Sequence, residues 1–236
     1  MQLYNLTAAT MDSFTSFAIR SAVEFIAVQT IYTGLCVTLE YINPALKTTD
    51  RKKLFFKQYK HSFWGVLAGT LCQRVWIVFI DPLTRWNEYF ETNAYTAKWA
   101  LLNISFFIFV YETMFYWIHR LLHIKKPINL YRMFHKEHHY FETTTAAAAA
   151  VNPIEIAILS VGLNIPKLFL PYSTSVHHIL VSLVFLESIF AHDSQFDVFN
   201  HGIHHTKQNY HYGFALPFWD WIMGTTYRDK LNKSIF

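Results

Sequence analysis

The sequence predicts an all-α membrane protein: about four transmembrane helices, or two plus a helical hairpin, carrying a cytosolic histidine-rich helical cap. Three observations predict it. The 236 residues are 53% hydrophobic and 18% aromatic but only 15% charged, whereas soluble domains carry about 25% charge. Apolar stretches near the roughly 20 residues needed to cross a hydrocarbon core recur along the chain. Ten of the 13 histidines fall in two windows, 119–139 and 192–211, where even scattering would put about 2.

The apolar stretches, in order, are Phe14–Ile42, Phe63–Ile80, Trp99–Ile118, Ile154–Leu170 and Val176–Ala191. Each contains charge: Arg20 and Glu24, then Arg74, Glu112, Glu155 with Lys167, and Glu187. Buried helices of a soluble protein are the alternative, but five of them in so short a chain leave little polar surface to solvate it. Ile165-Pro166 breaks or kinks the fourth stretch, and Pro171 with Ser173-Thr174-Ser175 suggests a tight hairpin before the fifth.

Charge sets the expected topology. Lys47, Arg51, Lys52, Lys53, Lys57 and Lys60 crowd residues 43–62. Between two apolar stretches this run reads as a cytosolic juxtamembrane loop rather than a nucleic-acid contact. The loop Pro82–Lys98, with Glu88 and Glu91 against Arg85 and Lys98, is then lumenal, and every histidine cluster emerges on the cytosolic face. Residues 1–14 lack a basic start, and Asp12, Arg20 and Glu24 follow, so no cleavable signal peptide is expected. Cys36 and Cys72 lie in apolar stretches without CxxC spacing, which argues against a disulfide framework and against thiolate metal ligation.

The histidines form three boxes: His119 and His123; His135, His138 and His139; His201, His204 and His205. Residues at i and i+4 project from one helical face, one turn apart. Each box is expected to present two or three imidazoles to one point, eight in all, enough for two metals at three or four nitrogens each. His192 is a plausible ninth ligand. The competing reading is a solvated, histidine-rich surface. Nitrogen-rich paired sites suit iron, although zinc and copper also favour imidazole. His211 reads as facing substrate or as supporting a ligand more readily than as a ligand itself. His177-His178 falls on the wrong face to join the boxes, and His61 reads as interfacial. Arg120 and Arg132 flank boxes and suit lipid headgroups, a redox partner or ordinary anchoring. The run Ala146–Ala150 is either a close-packing segment or, slightly preferred, a helix start.

H-x-x-x-H, H-x-x-H-H and H-x-x-H-H in this order resemble the membrane-bound di-iron fatty acid hydroxylase / sterol desaturase superfamily. Tyr116-Trp117-Ile118-His119-Arg120 resembles its approach to the first box. His192-Asp193, Asn209-Tyr210-His211-Tyr212-Gly213, and Trp219-Asp220 through Gly224-Thr225 are similar to segments of sterol C-5 desaturases. The chain departs at Asn152-Pro153, where many members have His-Pro, in the short His192–His201 spacing, and at His211, where those desaturases have Asn. The likeness covers roughly residues 99–228, giving residues 1–98 as membrane segments with a basic loop and 99–236 as the catalytic domain.

The resemblance implies an endoplasmic reticulum enzyme using O2 to hydroxylate or desaturate a membrane lipid at two iron ions. A sterol-type substrate comes first, a fatty-acyl or sphingoid base second. Metal ligands would be His119, His123, His135, His138, His139, His192, His201, His204 and His205. Glu112, seven residues before His119, would orient an imidazole, and Asp193, with Asp197, would do so near His192. The chain has no GxGxxG and only 7 glycines, so electrons would come from a cytochrome b5-type donor with an NAD(P)H reductase. A histidine-lined metal transporter or zinc-binding structural protein is the rival class. It calls for histidines spread along the spans.

Overall fold

The computed structural model describes residues 2–42, 49–84, 89–90, 93–140, 144–193, 196–197 and 200–227. Lys47, Arg85, Glu88 and Glu91 lie outside the described residues, and so does the charge balance expected of the second loop. Among the described residues, all regular structure is helical. Helix α1 spans Gln2–Ile42 and α2 spans Thr49–Val75, prolonged by a π-helical turn Trp76–Ile80 and a last turn Asp81–Thr84. Helix α3 is Ala97–Leu122, started by the Thr96 side chain, which accepts from the Trp99 N–H. A π-helical turn Tyr131–His135 runs into α4, Lys136–Tyr140. Then come α5 (Pro153–Asn164), α6 (Thr174–Ala191), α7 (His201–Lys207) and α8 (Phe218–Ile222).

Among the described residues, four helical stretches are long and apolar enough to cross a membrane: Ser13–Ile42, Lys52–Thr84, Ala97–Leu122 and Thr174–Ala191. Their surfaces are inverted relative to a soluble bundle. On α1, Ser21, Tyr32, Cys36 and Leu39 are buried while Ile19, Val23, Ile26, Ile31 and Val37 are exposed. Each large apolar side chain left in water forfeits about 1.5–3 kcal/mol, a loss that hydrocarbon removes. One charge pair joins two of these helices, and pairing lowers the cost of charge in a bilayer: Arg74 Nη1 of α2 lies 2.9 Å from Glu24 Oε1 of α1.

Three expectations are corrected. The fourth apolar stretch does not span: α5 has 12 residues, about 18 Å of helix against a core of about 30 Å. Pro166 removes an N–H and disfavours helical backbone at Ile165, so a 3-10 turn, Ile165–Leu168, ends the arm. The basic segment is not simply a loop. From Thr49 it is the first turns of α2, because Lys, Arg, Leu and Gln are good helix formers and Gly65 is the first breaker. The run Ala146–Ala150 starts no helix. It follows a 3-10 turn, Thr145–Ala147, and packs on α1 and α2. Tyr32 Oη donates to Ala146 O at 3.0 Å, and a Cβ at Gly65 would lie 2.1 Å from Ala149 O.

These contacts define the two ends of the bundle. At one end Thr144 meets Gln58, and Thr145 Oγ1 lies 3.2 Å from Glu40 Oε1. The second histidine box therefore sits at the same end as the basic start of α2. At the other end Lys167 pairs with Asp81 at 2.6 Å.

Candidate metal centre

Five elements deliver the histidines to one end. Helix α3 carries His119 and, at its C-cap, His123. The π turn carries His135 and α4 carries His138 and His139; such turns recur at functional sites. His192 caps α6. Helix α7 carries the third box, and its start is held by Asp197, whose carboxylate accepts from the N–H groups of His201 (2.9 Å) and Gly202 (2.7 Å).

The structure brings all nine expected histidines together in two groups: His119, His123, His135, His139 and His204; and His138, His192, His201 and His205. In the first, Nε2 atoms approach at 3.1 Å (His119–His135), 2.9 Å (His139–His135), 3.0 Å (His204–His139) and 3.1 Å (His123–His204). In the second they approach at 3.4 Å (His192–His138), 3.2 Å (His201–His192) and 3.1 Å (His205–His201). Nitrogens about 2.1 Å from one metal at right angles lie about 3.0 Å apart. The donor sets therefore fit two metal ions, with five and four imidazoles. Each box presents two imidazoles to one point, but in the second and third boxes the remaining imidazole goes elsewhere. His135 with His139, and His201 with His205, stay together at i+4, while His138 and His204 turn to the other centre. Successive helical residues diverge by about 100°, so an i+3, i+4 pair cannot converge.

Their hydrogen bonds prepare Nε2 for a metal. His119 Nδ1 lies 2.9 Å from Tyr212 O, His204 Nδ1 2.7 Å from Tyr210 O, and His192 Nδ1 2.7 Å from Ser188 O. His135 Nδ1 lies 2.7 Å from Glu155 Oε1. Acceptors here hold the proton on Nδ1 and leave the Nε2 lone pair free. Burial, reinforced by neighbouring imidazoles, pushes His135, His138, His201, His204 and His205 well below the ordinary imidazole range. Burial takes His192 down to about 4 and His139 to about 3. All are neutral near pH 7, as ligands must be.

Glu112 does not orient an imidazole. Its carboxylate accepts from the backbone N–H groups of Phe214 (3.2 Å), Ala215 (2.9 Å) and Leu216 (3.0 Å). The same loop carries the Tyr212 carbonyl that lies against His119 Nδ1. Asp220 braces the same loop, accepting from Tyr212 N–H and Gly213 N–H. A Cβ at Gly213 would lie 2.8 Å from Asp220 Oδ2, so the loop needs glycine there. Asp193 is buried beside His192 but belongs to neither nitrogen group. His211 joins neither group: its Nε2 accepts from Tyr227 N–H at 3.1 Å. His177 is remote, bonded to Asn164. Arg120 donates to Tyr116 Oη. Glu155 is the residue that sequence reasoning missed. It counted only as a charge inside an apolar stretch, although a carboxylate so placed is itself a functional signal.

A cavity of about 590 Å³ opens on the histidines. His119, His135, His138, His192 and His201 line one end. Tyr111, Phe115, Ile156, Val184 and Phe185 line its body. It lies among α1, α2, α3, α5 and α6 and suits an elongated apolar molecule.

A family model described as fatty acid hydroxylase matches residues 104–225, more than half of the chain. Delta(7)-sterol 5(6)-desaturase erg3B of Aspergillus fumigatus is 30% identical over 156 residues, 62% of this chain and 45% of the relative. Delta(7)-sterol-C5(6)-desaturase of Nicotiana tabacum is 28% identical, covering 63% of this chain and 61% of the relative. Human fatty acid hydroxylase domain-containing protein 2 is 28% identical, covering 67% and 49%. The chain thus spans about half the length of these relatives. No solved structure matches it significantly.

Proposed function

Because the chain belongs to the fatty acid hydroxylase family, we propose that it is a membrane oxidoreductase that hydroxylates or desaturates a lipid with O2, using two iron ions held by nine histidines. The observation that carries this reading is the convergence of nine imidazoles, in two groups, at one end of an apolar cavity. Bound iron would supply O2 activation and hydrogen abstraction from an unactivated C–H bond, which no side chain can perform.

The chain's own residues do the rest. The nine Nε2 atoms hold the metals. Glu155, Ser188, Tyr210 and Tyr212 keep the protons of His135, His192, His204 and His119 on Nδ1. Glu112 is a positioning residue for the 212–216 loop, and Asp193 supports His192. The apolar cavity walls exclude water and align the lipid with the histidines. Both outcomes consume O2 with two electrons and two protons from outside. Hydroxylation leaves one oxygen on carbon and one in water, whereas desaturation puts both into water. A cytochrome b5-type donor with a reductase suits this need.

A sterol-type substrate is supported by the names of the fungal and tobacco relatives; a fatty-acyl or sphingoid base is the second reading. Residues 99–236 form the proposed catalytic part, and 1–98 contribute cavity wall and anchorage in the endoplasmic reticulum. The basic start of α2 supports a cytosolic face for the histidines. A metal transporter is disfavoured because the ligands gather at one end instead of along the spans. The test is metal analysis with lipid profiling. Two irons per chain and an O2-dependent lipid product lost in His138→Ala support the enzyme; bound metal without any O2-dependent product sinks it.

A further inference from the structure

The end of the cavity remote from the histidines is polar, and the metal chemistry does not use it. Gln73 of α2, Glu24 of α1, and His178 and Ser182 of α6 line it. Gln73 Nε2 is buried and has no hydrogen-bond partner among the described residues. The orientation of this amide is determined by a chain of bonds. Asn164 Nδ2 lies 2.9 Å from Ser160 O; a carbonyl only accepts, so that atom is the nitrogen. The same Nδ2 donates to Gln73 Oε1 at 3.1 Å, and Asn164 Oδ1 faces His177 Nε2 at 3.1 Å. The group left over on Gln73 is therefore its NH2, a fixed donor in an apolar cavity.

We propose that this end of the cavity recognises a hydroxyl group at the far terminus of a neutral lipid. The hydroxyl oxygen accepts from Gln73 Nε2, and its O–H donates a hydrogen bond to the Glu24 carboxylate, the charged group lining this end. A carboxylate or phosphate headgroup is repelled by Glu24, and Arg74 Nη1 is already paired with it. An orphaned buried donor is costly, so a ligand that satisfies it gains affinity.

This inference rests on the lipid-oxidation reading and deepens it. Glu155, which touches His135, and Asn164, which touches Gln73, are separated by about 14 Å of α5, and His178 lies about 21 Å along α6 from His192. The carbon presented to the histidines is thus remote from the hydroxyl. A sterol held in this way offers its side chain to the metals, not the ring carbons beside its hydroxyl.

The experiment is equilibrium binding to the purified full chain in detergent, which requires neither turnover nor metal. Two probe pairs are compared: cholesterol with 5α-cholestane, and 1-hexadecanol with hexadecane. The hydroxylated member of one pair should bind about tenfold more tightly; the sterol pair identifies a sterol-type ligand, the alcohol pair a long-chain one. Gln73→Met should abolish that preference and leave hydrocarbon binding unchanged. Equal binding within both pairs by the wild-type chain, or a preference that survives in Gln73→Met, overturns the proposal. Because the readout is affinity, hydroxyl selectivity without any O2-dependent product would count against the oxidase reading alone.

Discussion

His138 and His139 are neighbours in sequence, yet their Nε2 atoms serve different centres. His138 Nε2 lies 3.4 Å from that of His192, whereas His139 Nε2 lies 2.9 Å from that of His135. The second and third boxes therefore straddle both groups, while His119 and His123 of the first share one, and the two centres are built partly from shared backbone.

Single substitutions should consequently separate the metals. His138→Ala leaves the five-imidazole group complete and the other with three; His139→Ala leaves the four-imidazole group complete and the first with four. Iron per chain is expected to fall from about two toward one in either variant, with the spectroscopic signal of a coupled pair lost. Retention of two irons in both would show that these residues are not ligands.

The Glu155–His135 contact should govern metal retention. Glu155→Ala removes the acceptor that holds the proton on Nδ1, and such losses typically cost 10–100-fold in metal affinity, roughly 1.4–2.7 kcal/mol. Glu155→Gln, which keeps an acceptor oxygen, should lose less. Chelator competition reads the affinity. A Glu155→Ala protein that holds iron like the wild type contradicts this role.

Glu112 should matter for stability and only indirectly for metal. Glu112→Ala leaves three backbone N–H groups of residues 214–216 without their acceptor. A lost hydrogen bond to a charged group costs about 1.5–3 kcal/mol; because Phe214 and Ala215 are only half-buried and Leu216 is exposed, water replaces part of it and the total loss is about 1–3 kcal/mol. Thermal melting in detergent should show a large drop for Glu112→Ala and a smaller one for Glu112→Gln. Unchanged melting would mean that the loop does not depend on it.

Acid should destabilise the metal-free protein through its histidines. Burial holds His192 down to about 4 and His139 to about 3, against about 6.5 when unfolded. The unfolded chain therefore binds more protons between those values. Stability is fully present above about pH 6.5 and is lost progressively as pH falls toward 4 and below. His192 alone accounts for about 3 kcal/mol across that range. Melting measured from pH 7.5 to 4.5 should decline with this sign; a flat profile refutes it.

Topology is tested by a tag placed between residues 43 and 48, clear of α2. It should be reachable from the cytosol, and so should a tag in the histidine end. Accessibility from the lumen would reverse the assignment.

Much was legible in the sequence because it is local. Apolar stretch length announced the spans, and i, i+4 spacing grouped His119 with His123, since helix geometry acts over one turn. Pro166 announced the end of the fourth stretch. Residue order in the boxes, with Tyr116-Trp117 and Trp219-Asp220 around them, was enough to carry the family resemblance. The partition of the imidazoles was not legible. It depends on α3, α4, α6 and α7 meeting at one place, and on the divergence of adjacent helical side chains. The imidazole contact expected of Glu112 is made by Glu155 for the same reason. Seven residues along one helix placed Glu112 on the histidine face, but the 212–216 loop, about a hundred residues on, reached its carboxylate first. Glu155 touches His135 only because α5 begins where the π turn ends. Sequence determined which residues are chemically able to hold metal and where the chain can cross a membrane. Tertiary structure decided which imidazoles share a centre, which carboxylate supports them, and what shape of cavity they face, because those depend on packing between segments far apart in the chain.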